Sequence, residues 1–167
     1  MTADEIKQYL GELNDELRAI DVKGEVCLYG GAVMCLVYDA RPATKDVDAV
    51  FRPKKEMRLA IERIAERNNL PADWLNDGVK GFLVPHQQKI LLDRSHLKVY
   101  VPEPDYLLAM KAISARAESY DPEDVALLVR SLGLKSPDKV FDVIEKYYPR
   151  QQIRPATQFF IEELFDE

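Results

Sequence analysis

The sequence predicts an α/β or α+β fold with a C-terminal helical bundle, on three observations. Short β-prone runs mix with amphipathic helical patterns as far as about Val101, four helical patterns follow in succession, and no repeat or low-complexity segment appears. At 167 residues and 47% hydrophobic, the chain suffices for one ordinary domain with its own core. We expect residues 1–101 to form an α/β core with an N-terminal helix. Residues 102–167 are expected as a helical region packed on that core, the two making one compact unit.

The elements follow in order. Thr2 and Glu5 have capping-box spacing, and Ile6, Leu10, Leu13, Leu17 and Ile20 recur at helical period, which gives an amphipathic first helix. Val26 to Tyr29 reads as a buried strand ended by the glycine pair of "YGGAVM". Ala32 to Tyr38 reads as a tightly buried helix closed before Pro42. Asp46 to Phe51 alternates, with Val47, Ala49 and Phe51 on one face and Asp46, Asp48 and Val50 on the other.

Pro53 opens the next helix, with Met57, Ala60, Ile61, Ile64 and Ala65 as its apolar stripe, and the pattern stops near "NNLP". Ala72 to Phe82 reads as a short helix and a loop, and "QKILLD" with "HLKVYV" as a β-hairpin joined by Arg94 and Ser95. Then come "PEPDYLLAMKAISARA", "DPEDVALLVRSLG", "SPDKVFDVIEKYY" and "RPATQFFIEELF", helices mostly opened by Asp or Ser with Pro at the first position.

The formal net charge of -6 argues against a general nucleic-acid binder, whose affinity for phosphates needs a surplus of Lys and Arg. The longest nearly uncharged run, Val26 to Tyr38, falls short of the ~20 residues of a membrane span. The N-terminal residues are acidic where a signal peptide is basic and then apolar. The expectation is a soluble cytoplasmic protein without a membrane partner, with Cys27 and Cys35 as reduced core thiols.

A strand running into Gly30 and Gly31 and then a helix offers backbone amides to a phosphate with no side chain in the way, or simply makes a tight turn. Asp46 and Asp48, at i and i+2 of one strand, have Cα atoms about 6 to 7 Å apart on one face. Two such carboxylates repel unless a cation lies between them. Lys45 is one candidate, and Mg²⁺ is the other. Because Mg²⁺ prefers oxygen ligands and keeps positions for substrate phosphates, the pair facing a glycine cradle makes a site for a metal-bound nucleoside triphosphate.

The block "LYGGAVMCLVYDARPATKDVDAVF" resembles the core of the DNA polymerase beta-like nucleotidyltransferase superfamily, whose members pair a Gly-Gly or Gly-Ser helix start with Asp-x-Asp on the next strand. With Arg41, Thr44, "WLND" and "LLAMK", the chain is similar to a bacterial branch of small nucleotidyltransferase-like proteins, itself similar to toxins of abortive-infection toxin-antitoxin systems. The resemblance covers roughly Val22 to Leu132. It implies a nucleotidyltransferase fold with a small mixed sheet and transfer of a nucleoside monophosphate from a triphosphate to a hydroxyl on tRNA or other RNA, a protein or a small molecule. It also implies Mg²⁺ as cofactor and an antitoxin as a possible partner. In its terms Gly30, Gly31, Arg41, Thr44 and Lys45 bind the nucleotide, Asp46 and Asp48 bind metal and act in catalysis, and Lys111 and Asp124 match catalytic positions on later helices.

Where superfamily members carry a third carboxylate, "HLKVYV" offers Lys98 and Tyr100; Asp93 is the nearest acid to serve as a metal ligand, with Glu103 next. The competing reading is a nucleotidyltransferase-fold module without catalysis that binds a nucleotide or a partner protein. A third is a helical interaction protein whose aspartates merely meet Lys45 and Arg41. Trp74 serves either the core or base stacking. The Arg52, Lys54, Lys55 and Arg58 cluster is either a solvated helix start or a phosphate contact. His86 and His96 lack metal-ligand spacing and read as structural or surface residues.

Overall fold

In the computed structural model, which describes residues 1–114 and 121–166, the first helix opens as its sequence dictates. Thr2 Oγ1 accepts from the Glu5 amide at 3.2 Å, and the Thr2 amide donates to Glu5 Oε1 at 3.0 Å. Helix α1 spans Ala3–Ala19 and buries Ile6, Leu10, Leu13 and Leu17, whereas Ile20 lies past its end, half exposed. Strand β1, Gly24–Tyr29, feeds helix α2, Gly30–Leu36; strand β2, Val47–Arg52, feeds helix α3, Lys54–Asn68.

A short strand β3, Leu75–Asn76, and a 3₁₀ turn, Gly78–Phe82, precede the hairpin of β4, Gln88–Asp93, and β5, Leu97–Pro102. The short helix expected within 72–82 is this 3₁₀ turn, and strand β3 stands before it where no strand was expected. Trp74 and Leu75 are consecutive and both buried, and Leu75 pairs with Val47 in the β2–β3 ladder. The Trp74 indole Nε1 donates to the Ile61 carbonyl at 3.0 Å and its ring meets Tyr9 edge-on at 5.5 Å, while the Val47 amide donates to the Trp74 carbonyl at 2.7 Å.

The five strands form one mixed sheet in the order β3-β2-β1-β5-β4. Strand β1 is antiparallel to β2 and parallel to β5; β2 and β3 are parallel, and β4 and β5 antiparallel, with a bulge between Ile90 and Leu92. One face carries Val26, Leu28, Val47, Ala49, Leu97 and Val99, all essentially without exposure. Helices α1 and α3 cover it: a Cβ on Gly24 would lie 2.8 Å from Leu17 Cδ1 and 3.0 Å from Met57 Sδ. The two helices are also tied outside the core, where Arg67 bonds Glu12 and Glu16 and Arg63 bonds Glu16. The register places Glu25, Cys27, Val50, Arg52, Lys98 and Tyr100 on the other face.

These elements, Met1–Leu83 with Gln88–Pro102, form one compact unit. Val84–Gln87 joins the chain from Glu103 onward in a second. That unit contains α4, Pro104–Ser114; α5, Asp121–Ser131; α6, Pro137–Glu145; and α7, Pro155–Glu163. Ser136 caps α6 by accepting from the Lys139 amide at 3.3 Å, with Pro137 next, as the spacing predicts. The Val84 amide donates to Tyr106 Oη at 3.2 Å, the His86 ring stacks on Tyr106 at 3.7 Å, and Tyr106 Oη bonds Tyr148 Oη at 2.8 Å. The part of the helix expected over 102–117 that lies beyond Ser114 falls outside the described residues. Among the described residues, no helix is long and apolar enough to cross a membrane.

Candidate functional site

Strand β1 ends in a turn that only glycine makes without strain: Gly30 has φ +62, the left-handed region. Directly opposite, Asp48 pairs with Tyr29 across β1 and β2. A Cβ on Gly30 would stand 2.7 Å from Asp48 Oδ2, so the missing side chain is what lets this carboxylate lie against the start of α2. At Gly31 a Cβ would stand 2.5 Å from Thr44 Oγ1 and 3.1 Å from Arg41 Nη1. Gly30, Gly31, Arg41, Thr44 and Asp48 therefore meet at one end of the sheet. The loop before β2 is held there by the Thr44 amide donating to the Met1 carbonyl at 2.8 Å and by a β-bridge between Thr2 and Ala43.

Asp46 differs from the expectation. Strand β2 begins at Val47, and Asp46 sits in the preceding bend, half-buried, its carbonyl accepting from Thr44 Oγ1 at 3.2 Å. The ladder thus fixes the direction of Asp48 but not that of Asp46. Lys45 is exposed in the same bend.

Asp93 does not join this group. It pairs with Lys98, Lys98 with Glu25, and Glu25 with Arg52, four residues along β2 from Asp48. That register separates Asp93 from Asp48 by about 13 Å along the strands and about 14 Å across them. The metal role expected for Asp93 beside Asp46 and Asp48 is not met, because register and not sequence distance decides which end of a hairpin a residue reaches. Among the described residues no group of three or more His, Cys, Asp or Glu is gathered as a metal-binding cluster.

Lys111 and Asp124 belong to the second unit and meet each other there. Lys111 Nζ lies 2.8 Å from Asp124 Oδ2 and 3.0 Å from Asp121 Oδ1, and both Lys111 and Asp124 are buried. A buried ammonium between two carboxylates is a strong link from the end of α4 to the start of α5. Glu103, the other acid considered for the metal, also begins this unit, its amide donating to the Gln87 carbonyl at 3.2 Å.

Sequence reading gave no role to Asn76, which the β2–β3 register sets beside Asp48 while its Oδ1 accepts from the Gly78 amide at 3.2 Å. The polar pair after a buried Trp-Leu in "WLND" is the only local signal of it. Next along, Asp77 takes Lys80 at 3.1 Å and Arg58 at 3.5 Å; the bond from Lys80 leads in holding its carboxyl below the usual range despite some burial. Trp74 is core, not a base platform. His86 donates from Nδ1 to the Val84 carbonyl at 2.7 Å, and His96 bonds Asp21 and Ser95, each at 3.0 Å, so both histidines serve local structure. Comparisons with protein-family models, curated proteins and solved structures return no match.

Proposed function

We propose that the chain is a Mg²⁺-dependent nucleotidyltransferase of the DNA polymerase beta-like type, moving a nucleoside monophosphate from a triphosphate to a hydroxyl on RNA, protein or a small molecule. The observation that carries this reading is the Asp48 carboxylate, an oxygen ligand for metal, lying against the left-handed Gly30 turn with Arg41 and Thr44 beside Gly31. The donor set fits the ion: Mg²⁺ is held by one or two carboxylates plus substrate phosphates, not by an all-protein cage. Asp48 and Asp46 would hold it. When bound, it neutralises triphosphate charge and orients the α-phosphate.

In the reaction the acceptor oxygen bonds the α-phosphorus, the α–β phosphoanhydride breaks, pyrophosphate leaves, and the hydroxyl proton passes to solvent or a nearby carboxylate. Arg41, with Nη1 against Gly31, would steady the charge of the phosphates. Lys45 is an exposed cation for the outer phosphates. An antitoxin and a place in defence follow only if the acceptor is a cellular RNA or protein. No step in this scheme is assigned to Lys111 or Asp124.

A second reading has its own observation. On β5 the residues facing the same side as Asp48 include Lys98 and Tyr100, where a third acid would complete a two-metal clamp. That favours a module that binds nucleotide without transfer. Incubation with each α-labelled nucleoside triphosphate, Mg²⁺ and total RNA or cell extract separates the two. The transferase reading expects label on an acceptor with wild type and at least roughly a hundredfold less with Asp48→Ala. Triphosphate binding by calorimetry without transfer supports the module, and neither binding nor transfer overturns both.

A further inference from the structure

The open face of the sheet carries a groove of about 320 Å³, lined by Glu25, Cys27, Val50, Arg52, Gln88 and Tyr100 together with strand backbone. Register explains its shape. Val50, Cys27 and Tyr100 form one row across β2, β1 and β5, and Arg52, Glu25 and Lys98 form the next. The first row is an apolar floor with a phenol ring at one side. The second is a polar wall, where Arg52 Nε and Nη2 both donate to Glu25 Oε2, at 2.9 and 2.6 Å. The partners of this ion pair leave Glu25 Oε1 and Arg52 Nη1 without a bond among the described residues, an acceptor and a donor side by side.

A ligand that suits this groove is flat, apolar on its faces and polar at one edge, with a donor next to an acceptor. It carries no net charge where it meets the Glu25–Arg52 pair, since the two neutralise each other. Each common nucleobase has that description, pairing a ring nitrogen or N–H with an exocyclic oxygen or amino group. The volume is at the small end of ligand pockets and of the order a single nucleoside needs. Asp48 stands two residues from Val50 on the same strand and face, about 6 to 7 Å from the floor of the groove.

We infer that this groove binds the nucleobase of an acceptor nucleoside, such as the end of an RNA chain, with Tyr100 against the ring and the Glu25–Arg52 pair at its polar edge. The role as acceptor rests on the transferase reading; binding of the base does not. The acceptor class is thereby narrowed from any hydroxyl to that of a nucleoside, whose ribose would extend along the sheet face toward Asp48.

The test titrates the full chain with adenosine, cytidine, guanosine and uridine, without phosphate and without Mg²⁺, followed by calorimetry and by NMR shifts of the β1, β2 and β5 amides. At least one nucleoside is expected to bind, with shifts at residues 25–27, 50–52 and 100. Tyr100→Leu is expected to weaken it roughly tenfold through lost stacking. Arg52→Ala changes an exposed residue, so the fold survives, and it is expected to alter the preference among the four bases. No binding of any nucleoside at millimolar concentration overturns the inference, as does binding that ignores Tyr100→Leu and Arg52→Ala. Groove binding with no transfer in the labelled-triphosphate assay upholds this site and rejects the transferase. Transfer to RNA unaffected by both groove variants does the reverse.

Discussion

At Gly30 two separate demands meet on one residue, and a pair of substitutions tells them apart. Alanine there must adopt φ near +62 and also displace the Asp48 carboxylate, so Gly30→Ala is expected to cost roughly 1–3 kcal/mol in chemical unfolding. Asp48→Ala in the same chain removes the clash but not the strain, and recovers only part. Gly31 carries no such backbone demand; its Cβ would meet the Thr44 hydroxyl at 2.5 Å and Arg41 Nη1 at 3.1 Å. Gly31→Ala combined with Thr44→Ala is therefore expected to regain most of the stability lost by Gly31→Ala alone. Equal rescue at both glycines would contradict the left-handed turn. Cys27 gives a third residue-level outcome. Burial pushes its thiol up to about 11, so at pH 8 little thiolate exists. Mass spectrometry after iodoacetamide is expected to find Cys27 unmodified in the native protein and alkylated once denaturant is added.

Between elements, the charges divide into those that hold helices together under cover and those that do so in water. Lys111 links α4 to α5 from a buried position, and replacing it with methionine leaves Asp121 and Asp124 facing each other without their cation. Lys111→Met is expected to cost about 3–5 kcal/mol in denaturant unfolding. A cost within experimental error would mean that the buried Lys111 link does not hold α4 to α5. Helices α1 and α3 show the exposed kind. Burial raises the Glu12 and Glu16 carboxyls, but bonds from Asn68, Arg67 and Gln8 to the first and from Arg67 and Arg63 to the second outweigh it, so both titrate below the ordinary range. A lowered folded value gives stability that is fully present above about 4.3, the unfolded value, and is lost as pH falls through the folded one. Acid unfolding of Arg67→Met is expected to show a shallower loss over that window than wild type, measured by circular dichroism.

The same division explains what was legible beforehand. The Thr2–Glu5 box and the Ser136–Pro137 start lie within a few residues of the groups they satisfy, so spacing alone reveals them. Strand β3 is two residues long and exists through its pairing with Val47 and Asp48, nearly thirty positions earlier in the chain. The glycine–aspartate half of the site was legible for a mixed reason. Its residue types were local, but their contact comes from the antiparallel β1–β2 register. Asp93 was misplaced because no property of "KILLD" says which end of β5 it will face.

Across the whole chain, the division into two units does not follow a single cut. Val84–Gln87 belongs with the helices although the strands on either side of it in sequence belong with the sheet. A chain ending at Pro102 would keep β1, β2 and β5 but lose Tyr106 and Glu103, the partners of Val84, His86 and Gln87. Hydrogen exchange of that truncated chain is expected to be fast over 84–87 and slow over β1 and β2; protection at 84–87 equal to the full chain would mean that other contacts hold the segment. Pro104 sets the start of α4 locally, whereas the detour at 84–87 depends on a tyrosine some twenty residues later.

The single tryptophan turns this division into an optical one. Trp74 is enclosed by Tyr9 and by the carbonyl of Ile61, and no other indole exists in the chain. Excitation near the red edge of protein absorption therefore lights one unit and leaves the helices beyond Glu103 dark. Its emission will move to longer wavelength when α3 leaves the sheet, while far-ultraviolet ellipticity follows helices on both sides, so two ordinary spectrometers time the two halves separately without any label.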